Sequence, residues 1–300
     1  MRTLRDRQEF YWLDLTDPST ADLDTVGQLI TINDLALEDA REFGQRAKLD
    51  DYSNSALLVF YGAEERPNKL PRLVEVHLHI TEGALVTVTR EPLAALDTVR
   101  RRVESGPSPS AGSLIYGVLD ALADSLLVTL DGFDQTVDEL QDVVVAEPTT
   151  GNRQRIFALR RQLTDMRQVV VPQRDMLSPV GNPIEAIPNL DDTSRDLIRD
   201  VHDHLDRAAW LITTYREQLS SLLDLYLAEV STRLNEFMKR LSVIATVFLP
   251  LSFLVGFFGM NFGWMVGQIK SAWTFLVFGV GLLVLSSLAV GLYLRRSAKS

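Results

Sequence analysis

Residues 235–261 read NEFMKRLSVIATVFLPLSFLVGFFGMN, and they predict where this chain leaves water. The stretch begins with charged residues, carries no charge after Arg240 and stays apolar through Phe258. Residues 241–258 number about 18, which is near the lower limit for crossing an apolar bilayer core about 30 Å thick. A second uncharged run of about 22 residues, 273–294, follows after a short connection. Two such runs near the C-terminal end favour membrane insertion over burial in a soluble core.

The first apolar run has two unequal faces. At 100° per residue, the small and weakly polar residues of this run collect along one stripe. This stripe contains Met238, Leu241, Ala245, Leu249, Ser252 and Gly256, with Asn235 beside it. Bulky side chains such as Phe253 and Phe257 lie elsewhere, so the stripe faces something other than lipid. Close helix packing and pore lining both select such a stripe, and periodicity alone leaves both open. Pro250 interrupts the backbone hydrogen bonds of this run, and Thr246 is placed to satisfy the carbonyl group that is freed.

Charge is distributed unevenly along the chain. Residues 1–238 contain 24 basic and 40 acidic residues, a net charge of −16, which argues against a nucleic-acid partner. The remainder contains six basic residues and no acidic one. Five of the six flank the outer ends of the two runs and one lies between them: Lys239, Arg240, Arg295, Arg296 and Lys299, and Lys270. By the positive-inside rule, we expect both chain ends to be cytoplasmic and residues 259–272 to lie on the outer side of the cell membrane. Cysteine is absent, which excludes disulfides and thiolate metal sites.

The N-terminal third has the pattern of an α/β domain, residues 1–110. Apolar and β-branched runs predict strands, and two further segments predict short helices. The strands are 10–15, 56–61, 73–80 and 84–89, and the helices are 22–29 and 35–43. His77 and His79 share one face of a strand. A solvated or partner-facing strand surface is favoured there over a metal site. A Ser/Pro/Gly-rich break at residues 105–110 ends the domain.

Long helices follow that break. Residues 113–146 and 152–170 predict a helical pair within a cytosolic region, 111–192, which ends in a Pro-containing stretch that begins at Pro172. No proline then occurs between Ser194 and Pro250, so residues 193–258 predict one stalk helix, about 95 Å long, that contains a first span near 240–258. A loop (259–272), a second span (273–294) and a cytosolic tail (295–300) complete the chain. The predicted fold class is an α/β domain followed by long helices, α+β overall, with two transmembrane helices.

Several motifs resemble those of the CorA family of divalent-cation channels, of the Gly-Met-Asn type. The first is Gly259-Met260-Asn261-Phe262 at the end of the first span, preceded by residues 235–239 (NEFMK) and by Pro250. Upstream, residues 35–40 (LALEDA) and 45–50 (QRAKLD) resemble the same family's N-terminal domain. The resemblance therefore covers nearly the whole chain.

This resemblance implies a funnel-shaped homopentamer in which the first span lines a pore through the lipid bilayer. It implies that Gly259, Met260 and Asn261 form the outer selectivity filter, with amide oxygens of Asn261 gripping hydrated Mg²⁺; a helix C-cap is the alternative role for Asn261. The family's pore-lining and gate positions correspond to Asn235, Met238, Leu241, Leu249, Ser252 and Gly256. Two spans cannot enclose a channel, so a ring of subunits is required in any case.

Regulation is expected on the cytosolic side. No Gly-x-x-x-x-Gly-Lys-Ser/Thr loop is present, so we expect no nucleotide partner and passive transport driven by the membrane potential. Most carboxylates of the long helices, such as Asp120 and Asp124, have the pattern of solvated faces. By resemblance, Asp200 matches a regulatory Mg²⁺ position, and Asp97 of a neighbouring subunit is its expected partner. Mg²⁺ is thus both the transported and the regulatory ion, and no organic cofactor is expected.

One departure from the family pattern leaves the ion open. Residues 262–270, FGWMVGQIK, contain no acidic residue, whereas family members commonly carry one in this loop. The favoured function is passive Mg²⁺ influx, with Co²⁺ or Ni²⁺ also passing. A proton-coupled zinc transporter of the related ZntB-like branch is the first alternative, and a membrane-anchored scaffold without transport is the second. No clustering of nucleophile, base and metal ligands indicates an enzyme.

Overall fold

A computed structural model describes residues 2–5, 10–30, 38–39, 41–52, 55–66, 69–107, 109–178, 187–260, 262–268, 271–282, 284–288 and 291. The chain divides into two compact units, Met1–Leu225 and Tyr226–Ser300. Each unit is described by itself.

A six-stranded mixed sheet forms the base of the first unit. The strands are β1 Arg2–Arg5, β2 Tyr11–Thr16, β3 Lys48–Asp51, β4 Ser55–Arg66, β5 Lys69–Thr81 and β6 Ala84–Thr89. Their order is β1-β2-β6-β5-β4-β3; β2 and β6 are parallel and the other neighbours are antiparallel. The four predicted strands are present. The sequence pattern missed β1 and β3, whose short polar sequences RTLR and KLDD lie at the two edges of the sheet.

Helices cover the sheet and extend beyond it. They are α1 Thr20–Leu29, α2 Ala94–Ser105, α3 Ala111–Ala146, α4 Thr150–Met176 and the first part of α5 Asp192–Phe258. Helix α1 begins with a capping box in which Ser19 and Asp22 bond each other's backbone N–H groups. The helix predicted at 35–43 falls mostly outside the described residues.

Helix α3 packs closely against β4. A Cβ atom at Gly62 would lie 2.9 Å from Cδ2 of Leu122, so a larger residue would force the leucine side chain to shift. The Ser125 hydroxyl accepts the Ala63 N–H at 2.8 Å. Leu122 and Leu126 are fully buried as a result.

Two histidines correct the sequence-based expectation for β5. His77 and His79 are 0% and 2% exposed, not solvated or available to a partner. They share a face of the sheet that is covered, because Phe43 stacks on the His77 ring with centroids 4.4 Å apart. Burial lowers the pKa of His79 to about 3, and neither of its ring nitrogens has a hydrogen-bond partner among the residues that the structure describes. His79 is therefore a neutral core residue.

Helix α4 continues past its predicted end. The expected stop near Val170 rested on Pro172, but the helix runs through this proline to Met176. Gln173, which is fully buried, accepts the Tyr61 N–H with its side-chain oxygen and so fixes the last turn of α4 to β4. The helix therefore continues through Pro172 and is anchored to the sheet one residue later.

The starts of α3 and α5 pack closely, because Gly112 lies directly against the Ser194 side chain. A Cβ atom at Gly112 would lie 2.0 Å from the Ser194 Oγ. Asp191 caps α5 by accepting the Ser194 N–H at 2.8 Å. The side chain of Ser194 is buried in this contact.

The second unit contains the C-terminal part of α5 and short helical segments. These are α6 Gly263–Gln268, α7 Ala272–Thr274, π-helical turns over Phe275–Gly281 and helical residues 284–288. Within the described residues, α5 is apolar and long enough to cross a membrane, and Ala272–Leu288 is a shorter apolar helix. The predicted fold class, a sheet domain followed by long helices with apolar C-terminal helices, is confirmed.

Candidate functional site

The C-terminal part of α5 has no buried side chain along its most apolar stretch. All six predicted pore-lining and gate residues are exposed here: Asn235, Met238, Leu241, Leu249, Ser252 and Gly256. Phe248 and Phe253 on other faces are equally exposed. An apolar helix that is exposed on every side needs lipid or further subunits around it.

The end of α5 requires a glycine. The Gly259 N–H donates to the Val255 carbonyl at 2.9 Å, and the Met260 N–H donates to the Phe257 carbonyl at 3.3 Å. A Cβ atom at position 259 would lie 2.9 Å from the same Val255 oxygen. A side chain at position 259 would therefore force the backbone of this helix end to shift. Asn261, the predicted filter ligand, lies outside the described residues.

The hydroxyl group of Thr246 does not act as expected. It donates to the Ser242 carbonyl at 2.7 Å, one turn towards the N-terminus. Pro250 frees the carbonyl of Thr246 itself, which this hydroxyl cannot reach while it is bonded backwards. Helix α5 nevertheless remains continuous through Pro250.

A group of acidic and histidine side chains, here called the Asp–His cluster, joins α3 to α5 in the first unit. Asp120, Asp200 and His204 each offer one ligand atom, and these atoms lie within 4.8 Å of one another. His204 Nδ1 lies 3.4 Å from Oδ1 of both Asp120 and Asp124. The Tyr116 hydroxyl donates to Asp200 Oδ2 at 3.3 Å.

The electrostatics of the Asp–His cluster suit a cation. Burial, and then the neighbouring Asp124 carboxylate, raise the pKa of Asp120. Burial, together with the carboxylates of Asp120, Asp200 and Asp124, raises the pKa of Tyr116 to about 12. Asp120 Oδ1 and His204 Nδ1 are buried without a hydrogen-bond partner in the described part of the chain. Carboxylate oxygens are ligands for Mg²⁺, and the imidazole adds an affinity for Co²⁺, Ni²⁺ or Zn²⁺, so the donor set fits a divalent cation.

Asp97 has a different neighbour in this chain. Its carboxylate pairs with Arg100 at 2.5 Å, and Arg100 also bonds Asp14. Within the described residues, Asp97 does not join the Asp–His cluster. Sequence reasoning singled out Asp200 but missed its association with His204 and Asp120. The spacing of four residues between Asp200 and His204, which places both on one helix face, was the available signal.

Comparison with known proteins identifies the family of this chain. Residues 7–296 match the family described as CorA-like Mg²⁺ transporter protein. The chain is 31% identical over 268 residues to the cobalt/magnesium transport protein CorA of Thermotoga maritima, which covers 87% of this chain and 76% of that protein. It is 27% identical over 236 residues to the zinc transport protein ZntB of Pectobacterium atrosepticum, with coverage of 78% and 70%.

A solved structure shares the fold. The CorA magnesium transporter from Methanocaldococcus jannaschii matches with a TM-score of 0.84 at 20% identity, over 96% of this chain and 91% of that chain. The family match spans nearly the whole sequence, including the apolar helices and the Asp–His cluster. The chain therefore belongs to the CorA-like Mg²⁺ transporter family, a family of membrane transporters of divalent cations.

Proposed function

We propose that this chain is the subunit of a homopentameric channel that conducts Mg²⁺ into the cell. The observation that carries the proposal is the end of α5, where an unburied apolar helix stops at a glycine with no room for a side chain, directly before Met260 and Asn261. The driving force is the membrane potential, which contributes about 2.3 kcal/mol per charge per 100 mV and twice that for a divalent ion. Co²⁺ and Ni²⁺ pass by the same route. Membership in a transporter family is consistent with the expectation that the chain is not an enzyme.

The filter acts on the hydrated ion. Mg²⁺ gives up its waters reluctantly, so a ring of Asn261 amide oxygens binds it through those waters. Gly259 lets the backbone turn out of the helix, and Met260 packs beside it. Below the filter, Ser252 and Gly256 leave a wide, weakly polar path.

The constrictions of the pore are apolar. Met238, Leu241 and Leu249 form rings that close by excluding water, and Asn235 forms the inner mouth. A ring of five first spans encloses the path, because the two spans of one chain cannot. The second span and the lipid surround this ring.

The Asp–His cluster holds the regulatory cation. Asp200 provides the central carboxylate, Asp120 and His204 are its partners within the chain, and Asp97 of a neighbouring subunit is the remaining partner. A bound divalent cation supplies positive charge that offsets facing carboxylates. The chain's own contribution is to keep these carboxylates close together on α3 and α5, and their repulsion favours the open state at low intracellular Mg²⁺.

Flux measurements test the filter. Wild type and Asn261→Ala are reconstituted in proteoliposomes, and Mg²⁺ entry is followed under an imposed potential. We expect the substitution to abolish most of the flux. The control Asn152→Ala, which deletes a side-chain amide in the first unit, should leave the flux unchanged. Flux that is equal in both variants would contradict the filter. No flux even in the wild type would favour the scaffold alternative.

Zinc transport is the second candidate, because a relative at 27% identity is named a zinc transport protein. The same vesicles receive Zn²⁺ and then a pH gradient without a potential. Zn²⁺ entry that follows the proton gradient would move the chain to the ZntB-like branch. Mg²⁺ entry that follows the potential supports the favoured function.

Channel closure tests the regulatory site. In Asp200→Lys, the lysine replaces a central carboxylate, so we expect flux to persist at internal Mg²⁺ concentrations that close the wild type. The matched control is Asp203→Lys, one turn away on α5, where the carboxylate is exposed and outside the Asp–His cluster. Closure at the same Mg²⁺ concentration in Asp200→Lys and wild type would exclude this assignment.

Thiol labelling tests the proposed topology. The chain has no cysteine, so single substitutions report one position each. With an impermeant thiol reagent applied to whole cells, we expect Phe262→Cys in the outer loop to be labelled and Ser105→Cys to be protected until the cells are lysed. The reverse pattern would place both chain ends outside.

A further inference from the structure

A cavity in the first unit collects three arginines from three separate elements. Its volume is about 700 Å³, and the loop before β3, the middle of α4 and α5 contribute to its walls. Arg46, Arg167 and Arg216 line it, one from each of these elements. No Asp or Glu is among the described residues that line it. This concentration of positive charge contrasts with a chain whose net charge is −10.

The three guanidinium groups have no partners within the described part of the chain. None of them forms an ion pair or a side-chain hydrogen bond there, whereas Arg100 and Arg174 each bind two carboxylates. Like charges that face one cavity repel one another. An anion that enters the cavity removes this repulsion and supplies acceptors for up to fifteen N–H donors, at five per guanidinium group.

The loop that carries Arg46 is held in place before any ligand binds. The Glu75 carboxylate accepts the N–H groups of Gly44 at 2.5 Å and Gln45 at 3.2 Å. The Tyr61 hydroxyl donates to the Gln45 carbonyl at 2.5 Å. Gly44 has φ +91°, a conformation that favours glycine. Glu75 also pairs with His77 at 2.8 Å, so its charge is already engaged.

The rest of the cavity indicates the kind of anion. Val169, Val171 and Pro172 form an apolar part of the wall, and Thr164, Gln168 and Tyr61 add polar groups. The volume lies within the range of roughly 300–1,000 Å³ that is usual for small-molecule sites. Guanidinium groups match phosphate oxygens in a bidentate geometry. Several phosphates on a partly apolar molecule would use both the arginines and the apolar wall.

We propose that this cavity binds a small organic polyphosphate, of the chemical class of a nucleoside triphosphate. The missing P-loop excludes only that way of binding phosphate, so the expectation of no nucleotide partner does not extend to an arginine-lined cavity. The site is distinct from the Asp–His cluster and from the filter, and the proposal does not depend on the transported ion.

Binding to the full-length protein in lipid nanodiscs tests the proposal. Calorimetric titrations use ATP, tripolyphosphate and orthophosphate at one fixed free Mg²⁺ concentration, so that chelation does not alter the regulatory site. We expect ATP to bind more tightly than tripolyphosphate, and tripolyphosphate more tightly than orthophosphate. Thermal unfolding with and without ATP provides a second readout, because a ligand of the folded state raises Tm.

Variants connect the binding to the arginines. Arg46→Gln, Arg167→Gln and Arg216→Gln should each weaken ATP binding by roughly 10- to 100-fold, the usual effect of losing a charge-assisted hydrogen bond. Arg153→Gln is the matched control: it makes the same charge change on α4 but lies outside the cavity. Arg167→Lys keeps the charge and should recover only part of the affinity, because lysine lacks the planar fork.

The outcomes are distinct. Absence of ATP binding by the wild type would overturn the proposal. Equal affinities of Arg167→Gln and Arg153→Gln would also overturn it, because binding would then depend on general charge. Equal binding of ATP and tripolyphosphate would exclude an organic ligand. Since Mg²⁺ flux is measured separately, failure here leaves the transport proposal unaffected.

Discussion

Among the residues that the structure describes, two helices are long and apolar enough to cross a membrane, and their surroundings differ. Half of the most apolar stretch of α3 is buried in the first unit, whereas none of the corresponding stretch of α5 is buried. Helix α3 alternates its buried leucines with an acidic face that includes Asp120, Asp124 and Asp131. Residues 241–258 of α5 have no charged face. The absence of a charged face, rather than apolar content, separates a span from a core helix.

Truncating a leucine in each helix is the strongest test of this comparison. Leu122→Ala removes a fully buried side chain from the α3–β4 contact and should lower the free energy of unfolding by about 2–5 kcal/mol. Leu249→Ala, at a position 71% exposed in the chain, should lower it by less than about 1 kcal/mol. Chemical denaturation of the full chain in detergent measures both. Equal losses would show that α5 is buried as α3 is.

Acid should destabilise the first unit through His79. The folded pKa of His79 lies near 3, below its ordinary value of 6.5, so the unfolded chain binds the proton more readily. Stability that is complete above pH 6.5 is therefore lost as pH falls towards 3, which amounts to about 2 kcal/mol at pH 5. His79→Leu should remove this loss, and His202→Leu, on α5, serves as the control. Thermal unfolding between pH 5 and 7 measures it. An unchanged pH dependence in His79→Leu would exclude His79 as its source.

Two glycines near the end of α5 form a matched pair. Gly259→Ala forces a methyl group against the Val255 carbonyl, so we expect a loss of about 1–2 kcal/mol and impaired flux. Gly256→Ala meets no atom of the described residues within 4 Å and should stabilise the helix by about 0.5–1 kcal/mol. Melting temperature and Mg²⁺ flux of both variants check this. Similar effects of the two substitutions would mean that the helix does not end at Gly259.

The smallest expected effect concerns the cap of α3. The Ser110 hydroxyl accepts the Ser113 N–H at 3.2 Å in an exposed position. Ser110→Ala should therefore cost about 0.5–1 kcal/mol of unfolding free energy. Ser108→Ala, two residues earlier, is the control substitution. A loss similar to that of Leu122→Ala would mean that α3 depends on its cap as much as on its core.

Local sequence patterns were sufficient to predict those helices and strands whose formation depends mainly on their own residues. The uncharged run of α5 and the β-branched runs of β4, β5 and β6 were recognisable from sequence. The edge strands β1 and β3 were not, because their RTLR and KLDD sequences become strands only by pairing with a neighbour. Likewise, β5 alternation places His77 and His79 on one face, but the stacking of Phe43, a residue distant in sequence, on the His77 ring forms only in the folded unit.

The same limit applies to the candidate sites. Asp200 and His204 are one turn apart, so their proximity could be predicted from the sequence. Asp120 lies 80 residues before Asp200, and only the packing of α3 beside α5 brings them together. The filter role of Asn261 remains a prediction from resemblance. The arginine-lined cavity could not be predicted, because its three arginines come from elements that meet only in the folded unit.

The close contact of Gly112 with Ser194 has a mechanical consequence. It gives α3 and α5 a pivot point near their first turns, since Gly112 has no side chain of its own and lies directly against the Ser194 side chain. Asp200 lies about 9 Å along α5 from Ser194, and Leu225 about 46 Å, at 1.5 Å per residue. If α5 tilts as a rigid lever, a 1 Å change in spacing at the Asp–His cluster becomes about 5 Å at the end of the first unit. Spin-label distances from α3 to both positions, with and without Mg²⁺, measure that leverage, and equal displacements would show that α5 slides instead.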